Sequence, residues 1–407
     1  MISGSPHSEA AFFVMNTDFF IEMLGIDSTS GREREFADFL VERMSGPGRR
    51  IEIQEVGSMA HACPEGCELP VNVLVAWGSP KVVFCSHLDT VPPYIPPVVS
   101  QENGVDVRVS GRGSCDAKGQ IFSMWEACLE LERRGYTDFG LLLLAGEETG
   151  SFGARTFSAS PMPSGTAPES DQSPMPSRAV AESDWVIIVG EPTDNHMASA
   201  SKGTKSFEVT FKGEAFHSGY PQYGSSAVEM FGDFLNALRS IVFPTDEVLG
   251  ETTWNIGKLV SDNPQNILSD RLTCRVYFRT TFASDEMVCN VMKNMAGSDA
   301  RLRFGRRRAQ DGSDIVAKEL APWQKSMSVK AFGGDTPTMY ETLEGFPTKP
   351  VAFGSDAPQL KCFGRKILCG PGSILVAHRD EEHIDLKDIE TAIGNYVRMY
   401  ETINRKI

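Results

Sequence analysis

The chain has 407 residues, 41% of them hydrophobic, a formal net charge of −15 and an isoelectric point near 5.0. That length predicts two domains rather than one core, and the acidic balance excludes the broad basic face of a nucleic-acid binder. No stretch approaches the roughly 20 consecutive apolar residues of a membrane span, which excludes a spanning helix.

Met1 to Glu9 lacks a basic region followed by an apolar core, so it does not read as a signal peptide, and the cytoplasm is the expected location. The first helix is expected over Asn16–Leu24. A second is expected over Gly31–Met44, where Phe36, Phe39, Leu40 and Val41 alternate with charges and Ser28 to Ser30 supply an N-cap region. Strands follow at Ile51–Val56, Val71–Ala76 and Val82–Cys85, the last leading into Ser86-His87-Leu88-Asp89-Thr90. Asp116 then sits at the mouth of a helix over Gly119–Arg134, whose apolar residues Ile121, Met124, Trp125, Cys128 and Leu131 recur at helical spacing before Gly135 stops it. Leu141 to Leu144 is a strand leading into Gly146-Glu147-Glu148-Thr149-Gly150. Residues 158–182, rich in Pro, Ser, Ala and acids, read as a surface insertion. Trp185 to Val189 is a strand leading into Gly190-Glu191-Pro192-Thr193.

From about Ser201 the order changes to strand (207–212), helix (225–241), two strands (253–260, 271–280), helix (286–295) and a short strand (301–304). That order is the signature of a split β-α-β, ferredoxin-like unit of about 110 residues inserted in a larger α/β domain. The division expected is residues 1–200, 201–312 and 313–407, with the first and last forming the larger domain. Short strands at 329–331, 350–353 and 366–369 and a helix over Lys387–Ile403 complete it. The basic run Arg301 to Arg308 reads as solvated surface. Nine cysteines, an odd number with several inside strand or helix patterns, fit reduced thiols better than a disulfide framework. Cys63 and Cys67 have no second pair at zinc-finger spacing.

Three strands thus end in a His or carboxylate with glycine nearby, and open α/β sheets collect their chemistry beyond the strands' carboxyl ends. His87 offers an imidazole. Asp89, two residues on, shares its side of an extended segment and is placed to accept the other ring N–H and fix the tautomer. The glycine-rich turn Gly111–Gly119 presents Asp116, and His378 follows Gly370-Pro371-Gly372-Ser373. Burying neighbours Glu147 and Glu148 unpaired is costly. The pair is tolerated if one holds a metal and the other moves protons. Asp116, Glu148 and Glu191 leave a positive surplus against two divalent ions, enough to lower a bound water's pKa from about 16 toward 7. A bridging carboxylate suits ions about 3.5–4 Å apart. Taken singly, each piece reads more simply as a structural His, a solvated Glu pair or a turn with a helix cap. The repetition at strand ends is what favours a site.

The segments Ser86–Val91, Gly111–Gly119, Gly146–Gly150 and Gly190–Thr193 resemble the di-zinc aminoacylase and carboxypeptidase family, including acetylornithine deacetylase, succinyl-diaminopimelate desuccinylase and carboxypeptidase G. So do Gly213-Glu214-Ala215-Phe216-His217-Ser218-Gly219 and Gly370–Ser373 ahead of His378. The resemblance runs from about residue 15 to the end, apart from the Pro/Ser insertion. It implies a mixed-sheet, zinc-exopeptidase-like catalytic domain with a lid and dimerisation domain, in a homodimer. His87 and Glu191 would hold one ion, Glu148 and His378 the other, and Asp116 both; zinc is implied, with cobalt or manganese as alternatives. Glu147 would be the general base and Asp89 would orient His87. His217 would reach a neighbouring subunit's site, Asn266 would contact substrate, and Arg279 would bind its α-carboxylate. Ser355 and Asp356 would line the pocket. The peptide after Asp116 would be cis. The implied substrate is a small N-acyl amino acid, with N-acetylornithine or a close relative first, and a carboxypeptidase or dipeptidase acting on short peptides as the alternative. A scaffold that has kept the fold and lost activity is disfavoured by the intact Glu147.

Overall fold

Branched and aliphatic runs pair into a six-stranded mixed sheet in the computed structural model, which describes residues 15–60, 63–64, 66–160, 185–296 and 321–405. The strand order is Arg49–Glu55, Val71–Trp77, Phe139–Leu144, Val82–His87, Val186–Val189 and Arg365–Leu368. The first three pair antiparallel and the last four run parallel. Every residue of Val71–Trp77, Val82–His87, Phe139–Leu144 and Val186–Val189 is buried. Strands covered on both faces need no polar alternation, and for that reason they appear in the sequence as continuous apolar runs.

Helices Thr17–Leu24, Glu33–Met44, Lys118–Arg133 and Leu386–Asn404 supply Phe20, Phe36, Phe122, Tyr396 and Tyr400 to the core. The two tyrosines keep their hydroxyls satisfied there, donating to Cys369 O at 2.9 Å and Thr137 O at 2.6 Å. Asn16 caps the first helix through its side chain, accepting from Phe19 N. The second helix departs from expectation. Its cap is Arg32, with no side-chain cap bond, and the Ser30 hydroxyl donates instead to Asp89 Oδ2 at 2.8 Å. A three-stranded sheet of Val98–Glu102, Val105–Ser110 and His383–Asp385 was not foreseen from the sequence.

The chain divides into two units. One comprises residues 1–198, 341–348 and 355–407, and the other 199–340 and 349–354. The second unit carries an antiparallel sheet ordered Thr253–Val260, Arg271–Thr280, Gly203–Lys212, Met327–Ala331. Arg271–Thr280 alternates, with Leu272, Cys274, Val276 and Phe278 turned inward onto helices Ala227–Arg239 and Asp285–Met295. The boundary expected at 312 moves to 340. The strand expected at 329–331 and assigned from the sequence to the larger domain runs over Met327–Ala331 and pairs with Gly203–Lys212. The strand expected at 301–304, the basic run beside it and most of the 158–182 insertion lie outside the described residues. No disulfide joins the nine cysteines. Among the described residues no helix is long and apolar enough to cross a membrane.

Candidate active site

The four parallel strands deliver their ends to one place. His87 closes its strand, Glu147 and Glu148 follow Leu144, Glu191 follows Val189, and the loop holding His378 follows Leu368. Asp116 enters from the loop ahead of the helix Lys118–Arg133. The Asp116–Ala117 peptide is cis, as the resemblance implies.

The distances make Asp116 the centre. Its Oδ1 lies 3.0 Å from His87 Nε2 and its Oδ2 lies 3.2 Å from His378 Nε2. His378 Nε2 is also 2.9 Å from Glu148 Oε1. Donor atoms fall within 4.8 Å of one another in three sets: His87, Asp116 and Glu191; Asp116, Glu148 and His378; His87, Glu147 and Glu148. His87, Asp116 and Glu191 are buried, Glu147 and Glu148 half-buried, and His378 is exposed. All five residues expected to hold metal therefore converge, with Glu147 beside them.

Asp89 is placed differently from expectation. The His87 Nδ1 lies 2.9 Å from the backbone carbonyl of Asp89 and 3.5 Å from its carboxylate. A ring N–H donated to that carbonyl fixes the same tautomer, with Nε2 facing Asp116. The Asp89 carboxylate instead accepts the backbone N–H of Glu147 at 2.9 Å and of Glu148 at 3.2 Å, besides the Ser30 hydroxyl. It positions the Glu-Glu turn more directly than the imidazole. That turn also needs Gly146, where φ is +70° and a Cβ would collide with Met59 Sδ.

The pocket holds more negative charge than its side chains neutralise. Burial raises Glu147 well above the ordinary carboxylate range. His87 opposes this, and Glu191, Asp356 and Glu148 add to it. Burial, then Asp116, does the same to Glu191. Burial also raises Glu148 against the pull of His378. Burial would raise Asp116 too, but hydrogen bonds from His378 and His87 outweigh it and hold the group low. His378, bonded to Asp116 and Glu148, is pushed up to about 10. For His87, burial lowers the ring's pKa, but the bonds to carboxylates prevail and raise it. Among the described residues no Lys or Arg is paired with Asp116, Glu147, Glu148 or Glu191. Lys118, two residues from Asp116, points away, donating to Met23 O at 3.0 Å and Ile26 O at 2.6 Å; burial pushes it down to about 7. Such a mixed imidazole and carboxylate cage, buried and short of positive charge, fits a pair of divalent cations.

Cys115 packs beside Asp116 with its Sγ 3.5 Å from Ser373 O, and burial keeps the thiol well above its ordinary pKa. Ser355 and Asp356 are buried in the same unit. His217, Asn266 and Arg279 belong to the second unit. There His217 and Ile267 form a bridge, and Ser218 N donates to Asn266 O at 2.9 Å, so His217 and Asn266 are neighbours. The His217 ring is exposed, its Nδ1 accepting from Gly219 N at 3.0 Å. The Arg279 guanidinium lies 5.1 Å from the Tyr277 ring centroid, and among the described residues no carboxylate pairs with it. Glu382 and Arg112, given no role from the sequence, form a fully buried ion pair at 2.6 Å next to the Asp116 loop.

Residues 83–402 match the model of peptidase family M20/M25/M40. A probable carboxypeptidase of Aspergillus terreus is 31% identical over 405 residues, covering 94% of this chain and 85% of that protein. The fold is similar to that of a tripeptidase from Staphylococcus aureus, with a TM-score of 0.69 at 17% identity, covering 96% of this chain and 98% of that one. It is also similar to a metallo-carboxypeptidase of the M20 family from Sulfolobus solfataricus, with a TM-score of 0.61 at 14% identity, covering 95% and 98%.

Proposed function

The chain belongs to peptidase family M20/M25/M40, and from that membership we propose that it is a metal-dependent exopeptidase of the carboxypeptidase type acting on short peptides. The observation that carries the metal reading is Asp116, whose two carboxylate oxygens face two different imidazoles while Glu148 and Glu191 close the flanks. The N-acetylornithine deacetylase that the resemblance put first gives way, because the similar proteins described above are named a carboxypeptidase, a tripeptidase and a metallo-carboxypeptidase.

In this reading His87 and Glu191 would hold one ion and Glu148 and His378 the other, with Asp116 available to both; zinc would suit the donors best. When bound, two such ions supply Lewis acidity for a scissile carbonyl and lower the pKa of the attacking water. Glu147 takes the proton from that water and returns it to the leaving nitrogen. A carboxylate set beside the metal-holding residues suits both steps. Asp89 keeps the Glu147 main chain in register through its N–H bond.

Arg279 reads the terminal carboxylate of the peptide, a task suited to a guanidinium that no carboxylate among the described residues occupies. Asn266 and His217 contact the substrate's scissile region, and His217 serves the site of a second subunit. A homodimer would form through the second unit, whose edge strand Thr253–Val260 leaves Leu259 and Val260 exposed. The test is a substrate panel on purified protein, with and without chelator: N-acylated dipeptides with free carboxyl termini, free dipeptides, and N-acetylornithine. Chelator-sensitive release of the C-terminal residue is expected. Preferential turnover of N-acetylornithine, or turnover indifferent to chelator, refutes the reading.

A further inference from the structure

Glu382 lies four residues beyond His378 and is fully buried. Its Oε1 accepts three backbone N–H groups from the loop that carries Asp116: Gly113 at 3.0 Å, Cys115 at 3.1 Å and Asp116 itself at 3.1 Å. Its Oε2 accepts from Arg112 Nη1 at 2.6 Å. The backbone carbonyl of Glu382 takes a fourth N–H, from Gly111, at 2.9 Å. Arg112 extends the clamp by donating to Pro93 O at 3.2 Å and Arg379 O at 3.1 Å. Converging N–H groups form an anion-binding nest. Here the anion is a side chain of the chain's own His378 loop.

We propose that Glu382 is the positioning residue that locks the Asp116 loop to the His378 loop, so that the bridging carboxylate and its partner imidazole are preset before any ion arrives. The inference rests on the reading of Asp116 and His378 as metal-holding residues. Its physical basis is the number and type of bonds. A carboxylate buried without partners would be costly, but this one receives a guanidinium and three amides, each bond strengthened by the charge. The cage could otherwise open, because His378 is exposed and leaves its strand end through a long loop. The fixed link to the protein lies between residues 382 and 111–116. Gln120 adds a parallel strut, its Nε2 donating to Cys115 O at 2.9 Å and Pro371 O at 2.8 Å.

Two substitutions separate positioning from bulk. Glu382→Gln keeps size and can still offer one oxygen to the nest, but its amide would turn a donor toward the Arg112 donor. Glu382→Asp keeps the charge but is one methylene too short to span nest and guanidinium. The assay is competition between the full-length protein and a chelating dye for Zn2+, with folding checked by circular dichroism and Asp116→Ala as reference. We expect both folded variants to bind Zn2+ about 10–100-fold more weakly than wild type, with kcat falling more than KM rises. Wild-type affinity in folded Glu382→Gln and Glu382→Asp, alongside loss in Asp116→Ala, overturns the positioning role and leaves the metal reading standing. Equal binding by wild type and Asp116→Ala overturns both. A second measurement needs no variant. In hydrogen exchange of the wild-type chain, the peptide spanning 111–116 should be equally protected with and without Zn2+. Release of that peptide on chelation shows that the ion, not Glu382, orders the loop, and overturns the proposal.

Discussion

Replacing Glu147 with Gln tests the proposed chemistry at a single atom. The substitution keeps the side chain's size, and the bond from Glu147 N to Asp89 Oδ1 at 2.9 Å belongs to the main chain and survives. What disappears is the proton acceptor. A positioned general base contributes about 10²–10⁴-fold to rate, or about 2.7–5.4 kcal/mol at about 1.36 kcal/mol per tenfold. We therefore expect kcat to fall by that factor with KM little changed, which is the pattern of an interaction realised in the transition state. Ion content should stay at the wild-type value. Glu147 is within 4.8 Å of His87 and Glu148 and is itself a possible ligand, so metal analysis separates the two roles. The assay is steady-state release of the C-terminal residue from an N-acylated dipeptide, with zinc measured on the same sample. A kcat within about tenfold of wild type at full ion content refutes the base assignment. Loss of an ion transfers Glu147 to the ligand set.

Three further outcomes follow from particular contacts. Arg279→Ala should lower kcat/KM about 10–150-fold for a peptide with a free carboxyl terminus, the equivalent of about 1.5–3 kcal/mol for a charged hydrogen bond, and far less for the amide-capped peptide; equal losses on both would refute carboxylate reading. Gly146→Ala places a side chain at φ +70° against Met59 and should cost about 1–2 kcal/mol in thermal or urea unfolding, with reduced kcat because Glu147 is next in the chain; wild-type stability and rate would contradict it. Burial raises Glu126 from an ordinary 4.5 to about 7, so the folded state holds a proton that the unfolded state has already lost. Its stabilising contribution is full below pH 4.5 and is lost as pH rises through 7. Glu126→Gln should accordingly match wild type in urea unfolding near pH 4.5 and exceed it by about 1–3 kcal/mol at pH 8, the upper end being the full shift and the lower end allowing for solvent screening. A difference that does not change with pH would refute the assignment.

The cage was legible in the sequence because its strands are buried on both faces, so their apolar runs stand out and their ends can be located to within two residues. Asp89 shows where local rules stop. The alternation of an extended segment would aim its carboxylate with His87, but the strand ends at His87, and the carboxylate turns to the amides of the Glu-Glu turn. Glu382 was hidden for the opposite reason. In Arg379-Asp380-Glu381-Glu382 it looks like a solvated charge run, and nothing local marks the one member that is fully buried. Met327–Ala331 was given to the wrong unit because five half-polar residues carry no record of the strand that pairs with them. The choice between peptide and acyl amide stayed hidden because the metal motifs specify what attacks a carbonyl, not what is attached to it.

His87, Glu147 with Glu148, and Glu191 stand at the ends of three adjacent parallel strands, so the spacing of these strand-end donors follows the sheet's own repeat, about 4.8 Å from strand to strand. The length of chain between them has no say in it. Between Glu191 and His378 the polypeptide departs to build an entire second unit and comes back, yet Arg365–Leu368 rejoins the sheet beside Val186–Val189. The sheet works as a fixed ruler. A connection that leaves the sheet and rejoins it can be lengthened by a whole module while the donors at the strand ends keep their spacing.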